Sequence, residues 1–118
     1  MTFTHLALVL ATVLTVAGGQ VLFKLGALAS NHGPEAASFF ERYANGWLIV
    51  ALVVYAAATG LWVYVQKTVP LGLAYPFFGL AFVVVPVASH FFLGEPLAWQ
   101  HLVGGLVIAL GIWIVQSA

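Results

Sequence analysis

The chain has 118 residues, 64% of them hydrophobic and only 5% charged, with three basic side chains balanced by three acidic ones. Soluble domains carry about 25% charged residues, so this composition excludes a soluble globular domain and marks an integral membrane protein. The balanced charge offers nothing to nucleic acid, and the absence of cysteine excludes a disulfide framework or a thiolate metal site.

The first apolar segment runs from about residue 3 to residue 28. It has no basic stretch before it, it is too long for a signal peptide, and Lys24 interrupts its end, so a retained first helix is expected. Gln20 and Lys24 lie one turn apart on one face. Ala11, Thr15 and Gly19 form a ridge of small residues that would let another helix approach. The polar stretch at 29–46 is read as an interfacial linker. Pro34 would open a short helix there, with Glu35 in its first turn, Arg42 near its end, and Phe39, Phe40 and Tyr43 in the membrane interface.

A second helix is expected over 47–66, with Trp47 and Tyr64 as belt aromatics at its ends and a small-residue packing zone at Ala56–Gly60. Lys67 and Thr68 form a very short connection, so the second and third segments make an antiparallel hairpin.

The third segment, 70–93, is the most unusual. It is long enough to cross a ~30 Å hydrocarbon core, yet Pro70 and Pro76 sit in its first turns and Pro86 sits mid-span. Gly72, Tyr75, Gly79, Phe82, Pro86 and His90 recur at steps of three or four, so an unbroken α-helix puts them on one face. Pro86 frees the carbonyl of Phe82 and is expected to kink the helix. In lipid that carbonyl needs protein or cavity water, so the segment is expected to face a protein interior or a groove.

Gly94 is read as the stop of this helix. Glu95 and Pro96 then open a fourth helix over about 97–115, in which Gly104 and Gly111 are spaced for close helix packing or dimerisation. The fold expected is all-α, with four transmembrane helices in a single domain and both termini on one side. Lys24, Arg42 and Glu95 fall on one membrane side and Lys67 on the other, too few charges to set orientation by the positive-inside rule. The four histidines show no metal-ligand spacing, so neither a metal site nor another cofactor is expected.

Several of these residues carry a family resemblance. Val16-Ala17-Gly18 with Gln20 and Lys24, then Leu61-Trp62, then Val69-Pro70-Leu71-Gly72-Leu73-Ala74-Tyr75-Pro76, then Glu95-Pro96 and the Gly104/Gly111 pair resemble the small multidrug resistance group of the drug/metabolite transporter superfamily. Within it the chain looks most like the smaller, ArnE-type subunits of the undecaprenyl phosphate–aminoarabinose flippase. The resemblance covers nearly the whole chain. It implies transport without covalent chemistry, hence no enzyme and no catalytic residue. It also implies a bacterial inner-membrane location, a polyprenyl phosphate-linked sugar as substrate, and an antiparallel dimer, either with itself or with a related four-helix subunit.

One departure matters. Multidrug exporters of this group carry a glutamate in mid-helix one that exchanges protons for cationic drugs. Val16 stands in that place here, and no Asp or Glu lies inside any of the four expected helices. Without a membrane carboxylate, cation/proton antiport lacks its physical basis. The residues expected at the head group are therefore Gln20, Lys24, Tyr75 and Glu95: an ammonium and an amide for phosphate, a phenol, and a carboxylate for a sugar amine. Each also has a plainer reading. Lys24 near a helix end can snorkel, Glu95 can favour a helix dipole, and Tyr75 can pack or sit in the belt. The rival functions are a small-molecule exporter and a non-transporting accessory subunit.

Overall fold

The computed structural model describes residues 2–31 and 45–118. The expected interfacial helix around Pro34, Glu35, Phe39, Phe40, Arg42 and Tyr43 lies outside the described residues.

Four helical segments are long and apolar enough to cross a membrane, and among the described residues there is no strand. The first, α1, spans Phe3–Ser30 and is capped by Thr2, whose hydroxyl accepts the His5 N–H at 3.3 Å. The second, α2, spans Gly46–Gln66. Asn45 caps it, accepting the Leu48 N–H at 3.1 Å, and its amide reaches back to donate to the Gly26 carbonyl at 3.1 Å. One side chain thus starts α2 and fastens it to α1.

The third span, α3, covers Leu71–Leu93. It opens with an α-turn at Leu71–Ala74, continues as a 3₁₀-helix at Tyr75–Leu80, and returns to α-geometry at Ala81–Leu93. The departure from α-geometry therefore lies at Tyr75-Pro76, upstream of Pro86, which sits inside the final α-helix. Pro76 lacks an N–H, so the Gly72 carbonyl has no α-helical donor there. A 3₁₀-helix turns about 120° per residue against about 100° for an α-helix. Six such residues rotate everything after Leu80 by about 120° relative to an unbroken α-helix. The single face expected from Gly72 to His90 is accordingly split. A Cβ on Gly79 would meet Ile108 of the fourth span at 2.9 Å, whereas Phe82 and Pro86 turn toward α1.

Gly94 ends α3 with φ +69°, a left-handed conformation that suits glycine, and the Glu95 N–H closes onto the Ser89 carbonyl at 3.3 Å. The fourth span, α4, is Trp99–Gln116. It starts later than expected. His101 Nδ1 accepts the Ala98 N–H at 3.0 Å and so defines the first turn. Glu95 and Pro96 lie in the non-helical link before it. Glu95 is thus not a first-turn helix residue, and Pro96 is not in the first turn.

α1 is the centre of the bundle. It packs along α2 and against the later part of α3, while α4 rests mainly on the 3₁₀ part of α3. Lipid chains are as apolar as leucine, so close van der Waals fit holds these helices together. The α2 contact stripe is Ala51, Ala58 and Val65, one residue per heptad and all buried. Opposite it, a Cβ on Gly19 would come within 2.8 Å of the Tyr55 ring and one on Gly26 within 2.5 Å of Leu48. Of the expected ridge, Gly19 is buried and Ala11 is exposed. The close approach is made by Gly19 and Gly26. In the Ala56–Gly60 zone, Ala58 alone is buried. The Cα trace measures 55 × 36 × 17 Å, a slab little more than one layer of helices thick in its narrowest direction.

Candidate functional site

Three clefts line up between α1, α2 and α3. The first, about 320 Å³, is bordered by Gln20, Lys24, Pro86, Ser89, Glu95 and His101. The second, about 310 Å³, shares Gln20, Val85 and Pro86 with it and adds Val16 and Phe82. The third, about 330 Å³, shares Val16 with the second and adds Thr12, Tyr55, Thr59, Trp62, Tyr75 and Phe78. The shared residues make them one groove. On α1 it extends from Lys24 to Thr12, about 18 Å along the helix axis.

Three of the four expected site residues meet at one end of it. Lys24 Nζ stands 3.8 Å from Glu95 Oε1, and the two side chains are 51% and 42% exposed. The ammonium and carboxylate are adjacent but open to a third group. Gln20, one turn deeper, borders the same cleft. The position of Glu95 follows from Gly94, whose left-handed turn directs the chain back across α1. The Glu95 backbone is also held, because its carbonyl accepts from His90 Nδ1 at 2.8 Å. Since a carbonyl can only accept, His90 carries its hydrogen on Nδ1. His101 is the reverse case: its Nδ1 accepts from a backbone N–H and so carries no hydrogen.

Tyr75 is not with them. It stands at the opposite end of the groove, where its ring lies 6.2 Å from that of Trp62 and 5.6 Å from that of Phe78, while Trp62 and Phe78 meet edge to face at 4.7 Å. The 3₁₀ segment explains the cluster, because residues three apart stack on one line in that geometry, as Tyr75 and Phe78 do. The groove therefore has an ionic end and an aromatic end. Gly104 and Gly111 take no part in it. Both are exposed on α4, and a Cβ added to either meets nothing within 4 Å.

Between the two ends lies a polar pair. Gln20 Nε2 donates to the hydroxyl of Tyr55. Tyr55 was not among the expected site residues. The signal for it was present: it is a phenol near the centre of an apolar span, where a hydroxyl needs a partner that lipid does not supply. Its position was not readable, because its seat on Gly19 and its contact with Phe23, 5.1 Å between ring centres, depend on how α1 and α2 pack. His101 was missed for a similar reason, since the start of α4 was placed too early.

The model of the EamA-like transporter family matches residues 1–117. Among curated proteins, the chain is 34% identical over 108 residues to the "Probable 4-amino-4-deoxy-L-arabinose-phosphoundecaprenol flippase subunit ArnE" of Sodalis glossinidius, covering 92% of each chain. It is 38% identical over 111 residues to the protein of the same name from Salmonella newport, covering 94% of this chain and 95% of that one. A third such protein, from an Enterobacter strain, is 41% identical over 73 residues, 62% of this chain and 68% of its own. No solved structure matches the chain significantly.

Proposed function

Because this chain belongs to the EamA-like transporter family and is a multi-pass protein of the bacterial inner membrane, we propose that it is a flippase subunit for a polyprenyl phosphate-linked sugar. The observation that carries the reading is the groove itself. It has a paired cation and anion at one end, an amide–phenol pair midway, and no carboxylate on its membrane-crossing walls: all three acidic residues, Glu35, Glu41 and Glu95, fall outside the four spans. A lipid-linked sugar needs no closed tunnel. Its head group slides along the groove while the isoprenoid tail stays in lipid.

At the ionic end, Lys24 takes the phosphate and Glu95 takes a sugar amine, as the relatives' 4-amino-4-deoxy-L-arabinose lipid would offer. A zwitterionic head group exchanges one ion pair for two, so neither protein charge is left uncompensated. Gln20 offers the next contact and Tyr75 the last. The protein makes and breaks no bond, so it works as a transporter and not as an enzyme. A slab 17 Å thick leaves one wall of the groove open. The second wall comes from a partner, a second copy or a related four-helix subunit, set against the exposed α4 face that bears Gly104 and Gly111.

One observation favours a different cargo. The Trp62, Tyr75 and Phe78 rings would suit a lipophilic cation. The two readings separate in a binding experiment on purified protein. Thermal stabilisation by 4-amino-4-deoxy-L-arabinose-phosphoundecaprenol and none by tetraphenylphosphonium is the expected result. Tight, pH-dependent binding of tetraphenylphosphonium with no response to the lipid would replace the flippase by an exporter.

A further inference from the structure

We propose that Gln20 and Tyr55 form an uncharged station at the middle of the bilayer, which holds the hydroxyl groups of a sugar ring as it passes along the groove. The proposal rests on the lipid-linked-sugar reading above and names the part of the chain that recognises the sugar rather than the phosphate.

Depth is the first argument. Tyr55 sits midway along α2, about 14 Å from the Gly46 end at the standard rise. Bulk water does not reach that depth in a bilayer, and a sugar hydroxyl moved there loses its hydrogen bonds unless the protein replaces them.

Hydrogen-bonding capacity is the second. The Gln20 amide gives one N–H to the Tyr55 oxygen. This leaves the Tyr55 O–H, the second Gln20 N–H and the Gln20 carbonyl oxygen without protein partners among the described residues. Either orientation of the amide leaves at least one spare donor and one spare acceptor. A hydroxyl both donates and accepts, so a sugar satisfies such a pair. A phosphate accepts only, and an ammonium donates only.

Placement is the third. Gln20 borders the ionic cleft and the middle cleft, and Tyr55 borders the aromatic one. Their hydrogen bond crosses the junction of all three, so a head group leaving Lys24 and Glu95 for the aromatic end passes it. The Tyr55 ring is seated by Gly19 beneath it and Phe23 beside it. Those contacts fix the direction of the hydroxyl and do not themselves use it. Tyr55→Phe therefore removes the hydroxyl and keeps the packing.

The test compares two lipids on purified protein: 4-amino-4-deoxy-L-arabinose-phosphoundecaprenol and undecaprenyl phosphate without a sugar. Tyr55→Phe is expected to weaken binding of the sugar-bearing lipid by roughly three- to tenfold, the worth of one hydrogen bond, and to leave undecaprenyl phosphate unchanged. Gln20→Met, which keeps the length and removes the amide, should likewise weaken binding of the sugar-bearing lipid. The double variant should lose little more than either single one, because the two act as one station. An equal loss for both lipids would make the pair a packing element and overturn the proposal, as would wild-type selectivity in both single variants. Failure of the wild-type protein to bind either lipid would overturn the flippase reading itself, and the station with it.

Discussion

Lys24 Nζ and Glu95 Oε1 lie 3.8 Å apart, at the limit of ionic contact and with both side chains about half exposed. Pairs of this kind contribute about 0–1 kcal/mol to a fold, because solvent screens them and two long side chains must be ordered to make them. Losing the pair should hardly touch stability, so any effect on transport reports on the substrate.

Lys24→Ala should slow flipping by about 10- to 100-fold, the loss of one charge-assisted contact of about 1.5–3 kcal/mol. Lys24→Arg should retain much of the activity, since the charge is kept although its geometry changes. The measurement is the appearance of lipid-linked sugar in the outer leaflet of proteoliposomes, normalised to folded protein. Wild-type flipping by Lys24→Ala would reduce Lys24 to a snorkelling side chain.

Two glycines of α1 should behave oppositely. An alanine at Gly26 would place its Cβ 2.5 Å from the Leu48 side chain and 3.2 Å from the Leu48 backbone nitrogen. The side chain can turn aside, but the backbone can move only if the start of α2 shifts. Gly26→Ala should therefore cost about 1–3 kcal/mol, the usual range for overpacking. Nothing lies within 4 Å of a Cβ on Gly18, and Gly18→Ala should be neutral or slightly stabilising. Thermal unfolding in detergent, followed by circular dichroism, separates the two.

Gln116 has a task that its place near the C-terminus conceals. Leu73 lies in the α-turn just before the 3₁₀-helix, where the hydrogen bonds change from four residues ahead to three, and Pro76, three residues ahead of it, has no N–H to give. Gln116 Nε2 donates to the Leu73 carbonyl at this change of geometry, at 2.6 Å. Gln116→Leu should cost about 1–3 kcal/mol by leaving that carbonyl unpaired. The same unfolding measurement checks it, and an unchanged midpoint would mean that another donor satisfies Leu73.

Gly104→Leu combined with Gly111→Leu should leave the monomer's melting unchanged, because neither position touches the rest of the chain. It should lower the dimer fraction in detergent crosslinking. An unaltered dimer fraction would place the partner contact elsewhere than on this face of α4.

Much of the architecture was legible because it is written in local terms. Four apolar runs bounded by Asn45, Lys67 and Gly94 can only be four spans, and counting crossings places Lys24 and Glu95 on one side. What could not be read depends on phase and on distant neighbours. A proline announces a break but not whether the chain kinks or tightens into a 3₁₀-helix. That choice decided that Gly79 faces α4 while Tyr75 joins Trp62, 6.2 Å away across the hairpin. Gln20 was recognisable as polar, but its partner Tyr55 lies 35 residues away, and their meeting depends on a glycine that lets two helices nearly touch.

The two ends of the molecule also differ in that an ion pair stands at only one of them among the described residues. At the Lys67 end, His5 is tied to Thr68 at 3.0 Å and Gln116 to Leu73, hydrogen bonds that join α1 and α4 to the α2–α3 hairpin. At the other end, Asn45 donates to the Gly26 carbonyl at 3.1 Å, and the half-exposed ion pair of Lys24 and Glu95 joins α1 to the α3–α4 connection. Dissolved salt weakens exposed charges, with a screening length of about 3 Å at 1 M, and leaves neutral bonds almost untouched. Ionic strength is thus a lever on the mouth of the groove: it loosens the Lys24–Glu95 contact and frees both charges for a head group, while the Asn45–Gly26 bond keeps α2 fastened to α1.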